Sequence, residues 1–198
     1  MSCYIAAALH DYDHPGVNNP FLVAMNNEKA WSHNDKSVLE NYHIASSFKL
    51  MEDPSRCWSS KMTNADFKRC RQVIILTVLN TDMAKHFKEL GKLSIRVTDP
   101  SFQPHDSKDQ EMLIKFMFHM ADISNPTKPF KICRNWTDLL FVEFFMQGDL
   151  ERAHPQTFPN ISQFFDRKTT NIAKSQIGYI NFIKLPSYAT IIKVFPKL

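Results

Sequence analysis

Residues Ala6–Asn19 read AAALHDYDHPGVNN. An apolar run suited to a helix is followed at once by two His-Asp pairs, His10-Asp11 and Asp13-His14. Pro15-Gly16 then stops any helix, because proline lacks the amide donor and its ring clashes with the preceding turn. A helix end that presents imidazole nitrogen beside carboxylate oxygen suits zinc, and carboxylate alone suits magnesium or manganese. Two adjacent ligands do not complete a site, so the metal reading requires a distant partner. Surface charge can write the same letters, and spacing alone favours that plainer reading.

The rest of the chain sets the frame for this stretch. Its 198 residues are enough for a sizeable core, with 43% hydrophobic residues, 16 Phe and only four Gly. That composition suits a helical globular protein and argues against disorder. A net charge of +4 is spread without a dense basic run, so nucleic-acid binding is not expected, whereas small anionic substrates fit. Four cysteines at 3, 57, 70 and 133 form no Cys-x-x-Cys, which speaks against a thiolate zinc site. With no signal peptide, the expectation is reduced thiols in the cytoplasm. The longest aliphatic stretch, 73–79, is too short to span a bilayer.

Periodicity and caps predict helix after helix and no strand. Asn19-Pro20 predicts a helix over 20–27, Asn34 or Asp35 caps one reaching about Met51, and Thr63 with Asp66 opens one expected to run to Leu90. Further helices are predicted from Ser107 or Asp109 to just before Asn125-Pro126, over 130–153 and over 170–184. The fold class expected is all-α.

Two more stretches carry chemistry. In FMFHMADISNPTKP (116–129), His119 and Asp122 stand at i and i+3 on an otherwise apolar helix. A carboxylate there is costly to bury unless a cation or a donor meets it, although Asp122 as a cap and His119 as a core histidine remain the simpler readings. In KSQIGYINFI (174–183), Gln176 and Tyr179 stand one turn apart. An amide can read the edge of a base and an aromatic ring can stack on its face. On spacing alone a half-exposed Gln beside a packed Tyr is favoured.

In order and over essentially the whole chain, these stretches resemble the catalytic domain of the 3′,5′-cyclic-nucleotide phosphodiesterases. HDYDHPGVNNPFL resembles the family's metal motif, and NDKSVLENYHIASSFKLM, ILTVLNTDMAKHF, HMADISNPTKP and RNWTDLLFVEFFMQGDLER follow in register. KTTNIAKSQIGYINFI resembles the helix that holds the base. The resemblance implies a compact multi-helix catalytic domain over 1–198 that hydrolyses cAMP, cGMP or both to 5′-monophosphates in cyclic-nucleotide signalling. It implies zinc on His10, Asp11 and Asp122, and a second ion, magnesium or manganese, held mainly by Asp11. Such paired ions, roughly 3.5–4 Å apart, share and acidify a hydroxide. Asp11, His14 and Glu40 are the catalytic candidates in this chain, with His14, Glu40 and Thr81 orienting metal-bound waters. Gln176, Tyr179, Leu140 and Asn125 are the expected substrate contacts, with Trp136 supporting the pocket wall. The family most often has Phe where Tyr179 stands.

The family also carries a Tyr-His-Asn-x-x-His stretch upstream, whose histidines are the general acid and the remaining zinc ligand. It does not occur in this sequence. The expectation is therefore a truncated catalytic domain lacking its N-terminal helices, weak or inactive alone. Loss of a positioned general acid typically costs about 10²–10⁴-fold. Apolar faces at Ile74, Leu76 and Phe116 are then expected to lie open. Regulatory domains, a dimer or a membrane attachment would belong to a longer parent protein. The alternatives are a non-catalytic nucleotide-binding or regulatory relative, and another His-Asp phosphohydrolase.

Overall fold

In a computed structural model that describes residues 1–196, the chain is helical throughout, with no strand among the described residues. It divides into two compact units. The first comprises Met1–Gly91 and His105–His119, and the second Lys92–Pro104 and the chain from Met120 onward.

The first unit is built on α1 (Ser2–Leu9), α2 (Asn19–Ala24), α3 (Glu28–Ser32), α4 (Val38–Leu50), α5 (Asn64–Val78) and most of α6 (His86–Arg96) and α7 (Ser107–Asp122). Ala6, Ile44, Cys70, Ile74 and Val78 form its core, with Ile5, Leu9, Phe48 and Phe118 against them. Ala6 has no exposed surface, and its methyl group lets α1 lie close on α5. Ile74 and Phe116, expected to lie open, are buried because α5 and α7 turn those faces inward. Leu76 is half-buried and lines a cavity of about 570 Å³.

Caps explain where the predicted helices hold and where they shift. Thr63 Oγ1 accepts from the Asp66 amide and donates to its carboxylate, so α5 opens where expected. Asn18, not Asn19, caps α2, accepting from the Phe21 amide at 3.0 Å. Asn34 and Asp35 take left-handed φ angles of 53° and 59° and finish a turn instead of opening a helix, which begins only after Ser37. The helix expected to run to Leu90 breaks at Asn80–Asp82. There the Asp82 carboxylate accepts from the Ala84 amide and starts a new turn, leaving Gly91 inside α6.

The second unit is organised by α8 (Phe130–Ala153), whose bounds match the sequence expectation. Buried Glu151 accepts from the Ser162 amide and hydroxyl and from Gln147, pinning the loop after α8 against it. Gly148 makes this close approach feasible, since a Cβ there would sit 1.9 Å from the Phe165 carbonyl oxygen. α9 (Ile172–Tyr179) is capped by Asn171 and runs through a π-helical segment, Ile180–Lys184, into α10 (Leu185–Val194). The helix predicted to stop at Lys184 therefore continues for ten residues.

Candidate metal centre and base pocket

His10 is the C-cap of α1, where the chain leaves the helix through turns and Asp13 takes a left-handed φ of 58°. Its Nδ1 lies 2.8 Å from the Ala7 carbonyl oxygen, which can only accept, so Nδ1 carries the proton. Its Nε2 lies 3.1 Å from Asp11 Oδ2. His10 beside it holds the Asp11 carboxyl below the ordinary carboxylate range, against the opposing effect of burial.

Asp122 is the last residue of α7, a helix that belongs to the first unit through His119. His10, Asp11 and Asp122 each offer one ligand atom, and these atoms lie within 4.8 Å of one another. Asp122 is exposed at the helix end, so its carboxylate avoids the burial cost that the apolar face of α7 suggested. His119 is a core histidine, 1% exposed, with Nε2 2.9 Å from His86 Nδ1. One imidazole nitrogen and two carboxylates are the donor chemistry that a divalent cation fits.

A second histidine stands beside Asp11 that sequence reasoning missed. His43, buried on α4, donates Nδ1–H to the Tyr12 carbonyl at 2.6 Å and turns Nε2 toward Asp11 Oδ1, 4.0 Å away. Burial keeps His43 below the ordinary imidazole range, with the Tyr12 carbonyl and Asp11 opposing. Nothing in local spacing could flag it, because 32 residues separate it from Asp11. His14 stacks on His43 with centroids 5.6 Å apart. Its Nδ1 accepts from the Gly16 amide at 3.0 Å, so in the neutral ring Nε2–H is a donor, the opposite tautomer to His10.

Glu40 and Thr81 take quieter positions. Asn19 donates to Glu40 Oε2 at 3.0 Å and accepts the Leu39 amide at 2.9 Å. Burial raises the Glu40 carboxyl above its usual range, partly offset by Asn19. The Thr81 hydroxyl donates to the Val78 carbonyl at 2.8 Å, the backbone-bonded arrangement, just past the end of α5.

In the second unit, Asn125 donates Nδ2–H to the Cys133 carbonyl and to Thr137 Oγ1, both at 3.3 Å. A carbonyl can only accept, so the amide orientation is fixed, and Asn125 Oδ1 is left buried with no hydrogen-bond partner. Gln176 and Tyr179 are both half-buried, one turn apart on α9. Burial raises the Tyr179 hydroxyl well above the ordinary phenol range, with Asp122 and Tyr188 adding to it. Leu140 is 39% exposed, and Trp136, expected to pack as support, is 62% exposed on α8. Lys184 is a second residue the sequence hid. Its buried ammonium donates to the Ile123 carbonyl at 2.7 Å, and burial pushes it down to about 8 against the pull of Asp122.

Comparison with known proteins bears on what this arrangement is for. The profile of the family described as 3′5′-cyclic nucleotide phosphodiesterase matches residues 1–198. A Caenorhabditis elegans protein named pde-3, a probable 3′,5′-cyclic phosphodiesterase, is 39% identical over 94% of this chain and 27% of its own length. The rat 3′,5′-cyclic-AMP phosphodiesterase 4C is 37% identical over 96% of this chain and 36% of its own length. The crystal structure of the phosphodiesterase domain of Salpingoeca rosetta rhodopsin phosphodiesterase superposes with a TM-score of 0.92 at 33% identity, covering all of this chain and 60% of that one. The chain thus spans roughly a third of the length of these curated relatives. With the family profile matched along its whole length, the chain belongs to the 3′,5′-cyclic nucleotide phosphodiesterase family.

Proposed function

We propose that this chain takes part in hydrolysing 3′,5′-cyclic nucleotides, cAMP, cGMP or both, to 5′-nucleoside monophosphates in cyclic-nucleotide signalling. The observation that carries the reading is the convergence of His10, Asp11 and Asp122 ligand atoms within 4.8 Å. His10 Nε2, Asp11 and Asp122 would hold zinc, and Asp11 would be the main protein ligand of a second ion, magnesium or manganese. When bound, the ions supply Lewis acidity toward the phosphodiester and an acidified water.

The chain's own residues do the rest. The Ala7 carbonyl orients the His10 ring so that Nε2 lies beside the Asp11 carboxylate. His14, three residues along the chain from Asp11, offers an N–H donor and favours the ionisation of Asp11. Glu40, made more basic by burial, and Thr81 would orient water near the phosphate. Asn125 Oδ1 would accept a hydrogen bond from the base, Gln176 would read its edge, and Tyr179 and Leu140 would flank the ring.

We propose low turnover by residues 1–198 alone, because the His-Asn-x-x-His stretch of the resemblance is not among them. A cytoplasmic setting fits four cysteines that are all unpaired. Among the described residues no helix is long and apolar enough to cross a membrane. The test is hydrolysis of cAMP and cGMP by the purified chain with Zn²⁺ and Mg²⁺, beside Asp122→Ala. Slow release of 5′-monophosphate that the variant abolishes is expected, and equal release by both would refute the proposal. Nucleotide binding with no product would identify a non-catalytic relative.

A further inference from the structure

Along α8, Ile132, Trp136, Leu139, Glu143, Met146 and Leu150 follow one another at steps of four, three, four, three and four. That is the heptad seam of a helix made to pair with another helix. The five apolar members are between 45% and 62% exposed, whereas Phe141 and Gly148, on the opposite side of α8, are buried. The helix therefore has its core face and, in addition, an apolar seam about 27 Å long turned to solvent. Isolated exposed apolar residues need no explanation, but five in heptad register on one helix do.

Glu143 decides what covers the seam. It stands near the centre of the run, where an uncompensated carboxylate would be costly to desolvate. A second copy of α8, paired antiparallel, would set each Glu143 against Leu139 and leave both carboxylates without a cation. A bilayer surface is a poor match too, since the arginines beside the seam are taken up by aspartates, Arg134 by Asp138 and Arg152 and Arg167 by Asp149, whereas interfacial helices carry cations free to meet lipid headgroups.

We propose that the outer face of α8 is a docking surface for a partner's amphipathic helix, which carries an apolar heptad seam and one Lys or Arg opposite Glu143. Apolar contacts at Leu139 and Met146 supply the attraction, and the central ion pair sets register and partner choice.

The experiment uses the 198-residue chain and a fluorescein-labelled synthetic helix of three heptads, with leucine along its seam and a single central lysine. A central position meets Glu143 in either orientation. A second peptide carries glutamate in place of the lysine. By fluorescence anisotropy, the lysine peptide is expected to bind about tenfold or more tightly than the glutamate peptide. Glu143→Lys should invert that preference. The exposed pair Leu139→Gln and Met146→Gln should weaken binding about tenfold or more, with the helical circular dichroism and melting point unchanged.

Equal binding of both peptides, a preference that ignores Glu143→Lys, or no binding at all would overturn the proposal. Sedimentation of the chain as a dimer that Leu139→Gln and Met146→Gln dissolve would give the face to a second copy instead. Flotation with phosphatidylserine vesicles that the same pair abolishes would give it to a membrane. Either result overturns the partner-helix assignment.

Discussion

His43 and Asp11 face one another across 4.0 Å, an imidazole nitrogen with an open lone pair turned toward a carboxylate oxygen. The Tyr12 carbonyl fixes the histidine in this pose from behind, and burial favours its neutral form. Two acceptors in this pose are suited to share a donor or a cation. It makes His43 a positioning residue for Asp11, outside the ligand set itself.

Removing that support should therefore loosen the metal without unfolding the chain. His43→Gln is expected to weaken Zn²⁺ binding about 10–100-fold, the usual effect of losing a residue that orients a ligand. Competition with a chelator of known affinity reads this directly. Unchanged affinity in a folded variant would separate His43 from the site.

Glu40 gives a prediction with a defined pH sign. Its carboxyl is raised above 4.5 by burial, so the folded state disfavours the charged form. The resulting cost is fully present above the raised pKa and is relieved as pH falls through it toward 4.5. Glu40→Gln should thus be more stable than the native chain at pH near 7, by about 1 kcal/mol on the ordinary scale of single substitutions. The gap should close on acidification toward the ordinary carboxylate range. Urea unfolding of both proteins across that window measures it. A native chain more stable than the variant at neutral pH would contradict the assigned cause.

Gly148→Ala tests the packing of the second unit. A Cβ 1.9 Å from the Phe165 carbonyl oxygen cannot be absorbed by a side-chain rotation, because the obstacle is backbone. The expected loss is about 1–3 kcal/mol, the typical size of an overpacking defect. Thermal and urea unfolding should both report it, and a neutral effect would mean that the loop after α8 can move away freely.

What could be read from the sequence follows from how local each signal was. The Thr63 cap and the bounds of α8 are set by neighbouring residues, and they appear where expected. The break after α5 depends on a side chain, Asp82, that captures an amide two residues on, while the apolar period continues across it. His43 and Lys184 were invisible for a different reason. Their roles rest on partners 31 and 61 residues away, Tyr12 and Ile123, and no spacing rule encodes such pairs. The metal trio lay between these extremes, since residue chemistry made the 116–129 stretch with His119 and Asp122 the best candidate partner of His10-Asp11, and the family resemblance singled out Asp122.

Asn125 offers a test of the base pocket that leaves the metal ligands alone. Its amide is anchored to Cys133 and Thr137 with the acceptor oxygen buried and open. Asn125→Ala should weaken binding of a non-hydrolysable cyclic-nucleotide analogue about tenfold, in line with the loss of one hydrogen bond at a buried group. Isothermal titration would show it, and an unchanged affinity would place the base elsewhere.

The central claim is that His10, Asp11 and Asp122 together hold a divalent ion. Zinc retained by the purified chain after loading and exhaustive dialysis, set against Asp122→Ala, tests this most directly. The expected result is near-stoichiometric zinc in the native chain and little in a variant with the same circular dichroism. Equal zinc in both, or none in either, would contradict it.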